Sequence, residues 1–235
     1  MVVADIVSLQ ETLRVVFNDP SWLEQALIHR SYLNEHPDLA GGSNERLEFL
    51  GDAILGYVMA EKLFHDFPEL AEGEMTRLRS AMVSRETLAR VAGSIGLGEY
   101  LYLGKGEEAS GGRHKPANLA SALEAVVAAV FLDQGHFIAR ELVMRLFAEE
   151  FQKVAEQATI IDYKSRLQEL VQAKYHLAPT YRVVEVTGPD HDRRFTVEVL
   201  VGDKVLGRGS GRSKKLAETE AARAALEPLA TGFTP

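Results

Sequence analysis

The sequence predicts an all-α domain followed by a small α+β domain of order α-β-β-β-α, and three observations lead there. From Val7 to about Ala158, apolar residues recur mostly at helical spacing. After Ile161 the pattern becomes one helix, three Val-rich alternating runs and an alanine-rich helix. Charge changes at the same place. Of 26 basic and 34 acidic residues, 12 and 10 fall in 161–235 (+2), leaving 14 and 24 (−10) before it. The predicted domains are 1–158 and 161–231.

In chain order, Val7–Phe17 and Trp22–Ile28 have helical spacing, with Asp19-Pro20 between them as punctuation. A loop with Pro37, Gly41 and Gly42 follows. Asn44 is then placed to cap a long helix running to about His65, ended by Asp66-Phe67-Pro68. Further helices are predicted over Glu74–Ala92, Pro116–Asp133 and Phe137–Ala158, with a mobile-looking, glycine-rich loop over Gly104–His114. Gln152–Ile160 reads as the linker. In the second domain, a helix is expected over Tyr163–Tyr175 and strands over Tyr181–Val186, Arg194–Val201 and Lys204–Gly209. A last helix covers Ser213 to about Leu229.

With 235 residues and 46% apolar content, the chain is long enough for two cores, and the absence of cysteine excludes disulfides and thiolate metal sites. The longest apolar run, Ala125–Leu132, is far short of a membrane span. The N-terminus lacks the basic start and long apolar stretch of a signal peptide. A cytoplasmic protein without a membrane partner is expected.

The segment Asn44-Glu-Arg-Leu-Glu-Phe-Leu-Gly-Asp52 is the most informative. With Glu45 at 0°, a helix puts Glu48 at about −60° and Asp52 at about −20°, and Leu47, Leu50 and Ile54 between about 140° and 200°. Three carboxylates therefore line one face. An ordinary solvated face and a hard-metal site both fit that spacing, although like charges at i, i+4 favour an offsetting cation. Glu124 sits in the apolar run Ala120–Val130, where an ionised carboxylate calls for a partner; an ion pair or a shared cation would serve. Glu72 reads equally as a further site acid or as a helix-start residue favoured by the dipole.

Taken together, these segments resemble the ribonuclease III family over essentially the whole chain. The nine residues Asn44–Asp52 look like its signature motif. Ala26–Ser31, Glu72–Arg79 and Leu119–Ala125 are similar to its other blocks, in the same order. The resemblance implies that Glu48, Asp52 and Glu124 are metal ligands and that Glu45 and Glu72 are further acids lining the cleavage cleft. It places Phe49 at the contact of a homodimer. It implies a magnesium-dependent endoribonuclease, with Mn2+ as a substitute and no small-molecule cofactor. That enzyme hydrolyses double-stranded RNA to 5′-phosphate and 3′-hydroxyl ends with a short 3′ overhang, in rRNA and mRNA processing. One position departs from the pattern: Ser121 stands where the family has an aspartate, three residues before Glu124. A neutral, weaker oxygen there leaves one charge missing from the cation site. The alternative is a double-stranded RNA-binding protein whose cleavage is lost or weakened by Ser121.

The second domain resembles a double-stranded RNA-binding domain through Asp162–Leu170, Gly188–His191 and Gly211–Glu218. Lys214 and Lys215, with Ser213, open a helix whose N-terminal N–H groups suit phosphate. Gln168 and Gln172 share a helix face with reach to sugar or base edges, and Glu169 lies beside them. His191 on the hairpin loop has the reach of the shallow minor groove. Each of these residues taken singly reads as ordinary surface; the three regions together carry the RNA reading.

Overall fold

The computed structural model describes residues 5–39, 41–189 and 192–230, with side chains except at 156–162 and 228–230. The chain divides between Phe151 and Gln152 into two compact units. Among its described residues, the first has helices and one isolated parallel bridge, Ile28 to Tyr102. Its helices are α1 (Ile6–Leu13), α2 (Ser21–Ala26), α3 (Arg30–Glu35), α4 (Glu45–Asp66), α5 (Glu72–Met82), α6 (Arg85–Ser94), α7 (Lys105–Ala109) and α8 (Pro116–Leu146). The fully buried α8 residues Ala122, Leu123 and Ala125–Val130 form the centre of the core. α4 packs along α8, and α2 and α6 cover its other sides. By length and composition α8 could cross a bilayer, but half of its most apolar window is buried inside the protein. Gly135, at φ 82°, also breaks it, a conformation costly for any residue with a Cβ.

Several boundaries differ from the sequence reading for local reasons. α1 stops at Leu13 because Arg14 takes a left-handed conformation, though Val15 and Phe17 remain buried. Asn44 occupies the N-cap position of α4 without capping it. It is buried, and its side-chain amide donates to the Ala26 carbonyl at 3.3 Å. The stretch expected as one helix from Glu74 is two, because Ser84 ends one and caps the next by accepting from the Thr87 N–H. The segment expected to be a mobile loop is ordered. Gly104 N–H donates to Ser31 Oγ, Lys105 N–H to Glu35, and Arg113 to the carbonyls of Gly98, Glu99 and Leu101.

The second unit contains most of α9 (Ala148–Tyr175), so the backbone over 152–160, expected as a linker, is helical. Strands β1 (Thr180–Thr187), β2 (Arg194–Val201) and β3 (Lys204–Gly211) form an antiparallel sheet in that order, and α10 (Lys214–Ala230) follows. The core joins Leu167 and Val171 of α9, Val197, Val199 and Val201 of β2, and Ala217, Ala221, Ala222 and Ala225 of α10. β3 lies unusually close to α10 because Gly207, Gly209 and Gly211 face it. A Cβ on Gly209 would meet the Ala221 nitrogen at 2.2 Å.

Gly209→Ala should therefore push α10 off the sheet and destabilise the second unit by roughly 1–3 kcal/mol. The only tryptophan, Trp22, belongs to the first unit. Circular dichroism should show a lowered transition while Trp22 fluorescence melts as in the wild type. Equal shifts in both signals would show that the units unfold as one.

Candidate functional site

The site is set where α4 crosses α8. Gly51, on α4, lies so close to Glu124 of α8 that an added Cβ would fall 1.8 Å from the Glu124 carbonyl oxygen. A glycine inside a helix costs about 1 kcal/mol relative to alanine, and here it permits a backbone contact that no other residue allows. The crossing brings Glu48 and Asp52, which flank Gly51, toward the side chain of Glu124. Ser121 lies one turn before Glu124 on α8 and is partly buried.

The electrostatics of Glu124 reflect its neighbours on α4. The Glu124 carboxyl is pushed from the ordinary 4.5 up to about 7, first by burial and then by the negative charges of Glu48 and Asp52. Three carboxylates thus share a half-buried corner that favours either a proton or a cation. Among the described residues, no group of three Asp, Glu or His side chains stands close enough to form a finished cage. The donors present are all oxygens, however. That chemistry fits a hard divalent ion that keeps several of its own waters.

The other two predicted acids stand at helix starts. Glu45 begins α4, accepts from Ser43 Oγ at 2.9 Å and pairs with Arg30 at 3.6 Å. Glu72 begins α5. Glu72 accepts from Thr76 Oγ1 and lines a groove of about 560 Å3 with Tyr57, Glu61, Phe64, Met75 and Arg79.

Next to the acids, Phe49 is 83% exposed, with Tyr57 and Phe64 also exposed on the same side of α4. Beside it, a cavity of about 740 Å3 is lined by Trp22, Gln25, Glu45, Phe49, Leu50 and Leu132. Sequence reasoning missed Gly51, whose one visible signal is a glycine inside an otherwise strong helical pattern. It also missed the buckle at the start of α8. There Glu107 accepts from Lys115 at 2.8 Å and from Asn118 at 2.9 Å, and both donors hold its carboxyl below the usual range.

In the second unit, Gln168, Glu169 and Gln172 are exposed on α9 and line a shallow depression of about 480 Å3. Ser213 caps α10 by accepting from the Leu216 N–H, and Lys214 and Lys215 are exposed in its first turn. His191 lies outside the described residues.

Comparison with known proteins gives a consistent picture. A family model described as ribonuclease-III-like matches residues 19–151, and one for a double-stranded RNA binding motif matches 163–229. The chain is 56% identical over 230 residues to Ribonuclease 3 of Dehalococcoides mccartyi, covering 98% of this chain and 97% of that one. It is 48% identical over 224 residues to Ribonuclease 3 of Geobacter sulfurreducens, covering 95% and 90%. The solved nuclease domain of ribonuclease III from Campylobacter jejuni superposes with a TM-score of 0.58 at 38% identity. That match covers 63% of this chain and 99% of that one.

The shift at Glu124 has a sign that can be measured. An unfolded carboxyl loses its proton near 4.5 and the folded one near 7. The stabilising contribution is therefore complete below pH 4.5 and is lost as pH rises through 7. Without divalent cation, Glu124→Gln should melt above the wild type at pH 8, by ~2–4 °C for each kcal/mol relieved, with the difference shrinking toward pH 5. A difference that does not change with pH would rule out the crowded-carboxylate description.

Proposed function

The chain belongs to the ribonuclease III family, and we propose that it is a homodimeric, magnesium-dependent endoribonuclease of double-stranded RNA, with manganese as a substitute ion. The observation that carries this reading is the meeting of Glu48, Asp52 and Glu124 at the Gly51 crossing. Those three carboxylates, with Ser121 beside them, would hold the ion, which when bound supplies a Lewis acid for phosphate and a more acidic water.

The chain's own groups do the rest. Gly51 fixes the spacing of the two helices, so the oxygens are placed before RNA arrives. Half-burial of Glu124 strengthens its response to charge arriving nearby. In the second unit, Lys214 and Lys215 meet phosphates at the start of α10, and Gln168 and Gln172, beside Glu169, reach sugar or base edges. Such a domain reads A-form shape over ~16 base pairs rather than sequence. Hydrolysis leaves a 5′-phosphate and a 3′-hydroxyl. Two sites related by a two-fold axis cut the strands at staggered positions and leave a short 3′ overhang. The solved Campylobacter jejuni nuclease domain is described as flexible in a region involved in dimer formation. In this chain the exposed aromatic side of α4, centred on Phe49, suits such a contact. A cytoplasmic role in rRNA and mRNA processing follows from this activity. The alternative of a binder without cleavage rests on Ser121 alone and finds no support in the arrangement of the other acids.

Glu124→Gln should reduce cleavage of long duplex RNA below detection while leaving RNA affinity near the wild-type value; a fully active variant would remove Glu124 from the chemistry. Ser121→Asp, which restores a charge, should lower the divalent ion concentration for half-maximal rate on the order of tenfold. An unchanged requirement would place Ser121 away from the ion.

A further inference from the structure

Strand β1 is an edge of the antiparallel sheet, paired with β2 on one side only. Along its other edge, no strand among the described residues takes the backbone N–H and C=O groups. Edges of this kind are commonly blunted by short length, proline or lysine. β1 is eight residues long and carries neither residue, while Val183, Val184 and Val186 are exposed along it. Those valines are not spent in the core, which uses Val171, Val197, Val199 and Val201 instead.

The strand's own sequence says which partner fits it. Thr180-Tyr-Arg-Val-Val-Glu-Val-Thr187, laid antiparallel against itself, sets Thr180 opposite Thr187, Tyr181 opposite Val186, Arg182 opposite Glu185 and Val183 opposite Val184. A two-fold axis at the centre repeats each pair, so the arginine–glutamate pair forms twice. In a regular strand this match would fail, because residues an odd number apart face opposite sides. The register shift in β1 removes the conflict. Arg182 stands opposite Glu198 and Glu185 opposite Thr196, and those β2 residues are two apart, so both charges lie on one face of the sheet. Tyr181 and Val186, opposite Val199 and Phe195, share the other face in the same way. Val184 is the extra residue of this bulge. It spoils the register for an ordinary strand but matches a strand with the same extra residue at the same place. Both charges are also within reach of a partner. The Arg182 and Glu185 side chains are 61% and 54% exposed. Their ion pairs within the sheet, with Glu198 at 3.0 Å and Arg208 at 3.9 Å, occupy only part of their donors and acceptors.

We propose that β1 pairs antiparallel with β1 of a second copy of this chain, centred between Val183 and Val184, so that two sheets become one. The contact lies wholly in the second unit, apart from the one proposed at Phe49, and needs neither RNA nor metal.

The chain has no cysteine, so introduced thiols report alone. The test is Thr180→Cys/Thr187→Cys in the full chain, equilibrated in a glutathione redox buffer and read as linked dimer on a denaturing gel. Seven strand residues separate the two thiols by about 23 Å within one copy, beyond the ~7 Å that a disulfide spans. A link therefore joins two copies, and the proposed register sets each thiol opposite the other kind. Linked dimer should exceed that of Thr180→Cys alone or Thr187→Cys alone by on the order of tenfold, since the single variants report only random encounter. Adding Val184→Lys, a charge on the strand edge, should remove the excess with the melting temperature unchanged. Adding Arg182→Glu, which sets like charges opposite each other, should remove it too, and Arg182→Glu/Glu185→Arg should restore it. That exchange breaks both ion pairs within the sheet, so recovery has no explanation inside one copy. A double-cysteine chain linked no more than the single variants overturns the pairing, as does an excess that survives both Val184→Lys and Arg182→Glu.

Discussion

The backbone contact between α4 and α8 is the constraint on which the site depends. Two helices normally pack with their axes 8–10 Å apart because side chains separate them. At Gly51 there is no side chain, and the Glu124 carbonyl takes the space where one would stand. The approach does two things at once. It seals the core around Leu55, Met59, Leu123 and Val127, and it places acids from two helices at the edge of that core. Burial enough to raise Glu124 and exposure enough to admit an ion and a phosphate coexist only at such a boundary.

The second unit uses the same device for another end. Three alternating glycines on β3 face an alanine surface of α10, so the sheet and helix lie closer than ordinary side chains permit. This thin sandwich leaves Ser213, Lys214 and Lys215 at the exposed start of α10. Lys164 pairs with Glu218 and lies over the Tyr181 ring, tying α9 to α10 and β1. In both units the candidate binding groups sit at helix starts or on helix faces held by small-residue contacts, which are rigid because little can rotate within them.

Much of this is legible in the sequence, and the parts that are not share a cause. The acidic face of α4 follows from residue spacing, because a helix fixes the relative angles of Glu45, Glu48 and Asp52 whatever surrounds it. The strands of the second unit are found to within one or two residues because valine alternation is local. Long-range partners are not visible in that way. Gly104–His114 looks mobile by composition, yet its N–H groups are taken by Ser31 and Glu35, about 70 residues away. Asn44 looks like a cap, but its amide is drawn to Ala26. The break at Ser84 is readable, since a serine three residues before Thr87 is a capping signal, but continuous apolar spacing from Glu74 conceals it.

Phe49 is flanked on the same turns of α4 by Glu48 and Asp52. The exposed phenyl ring and the carboxylates that gather charge therefore share one short length of backbone. A shift of α4 by a fraction of an ångström that improved the fit of the phenyl ring would also move both carboxylates. On the proposed function, any change that tuned a contact between copies through Phe49 would also retune the acids beside it, and drift in one would be bound to drift in the other.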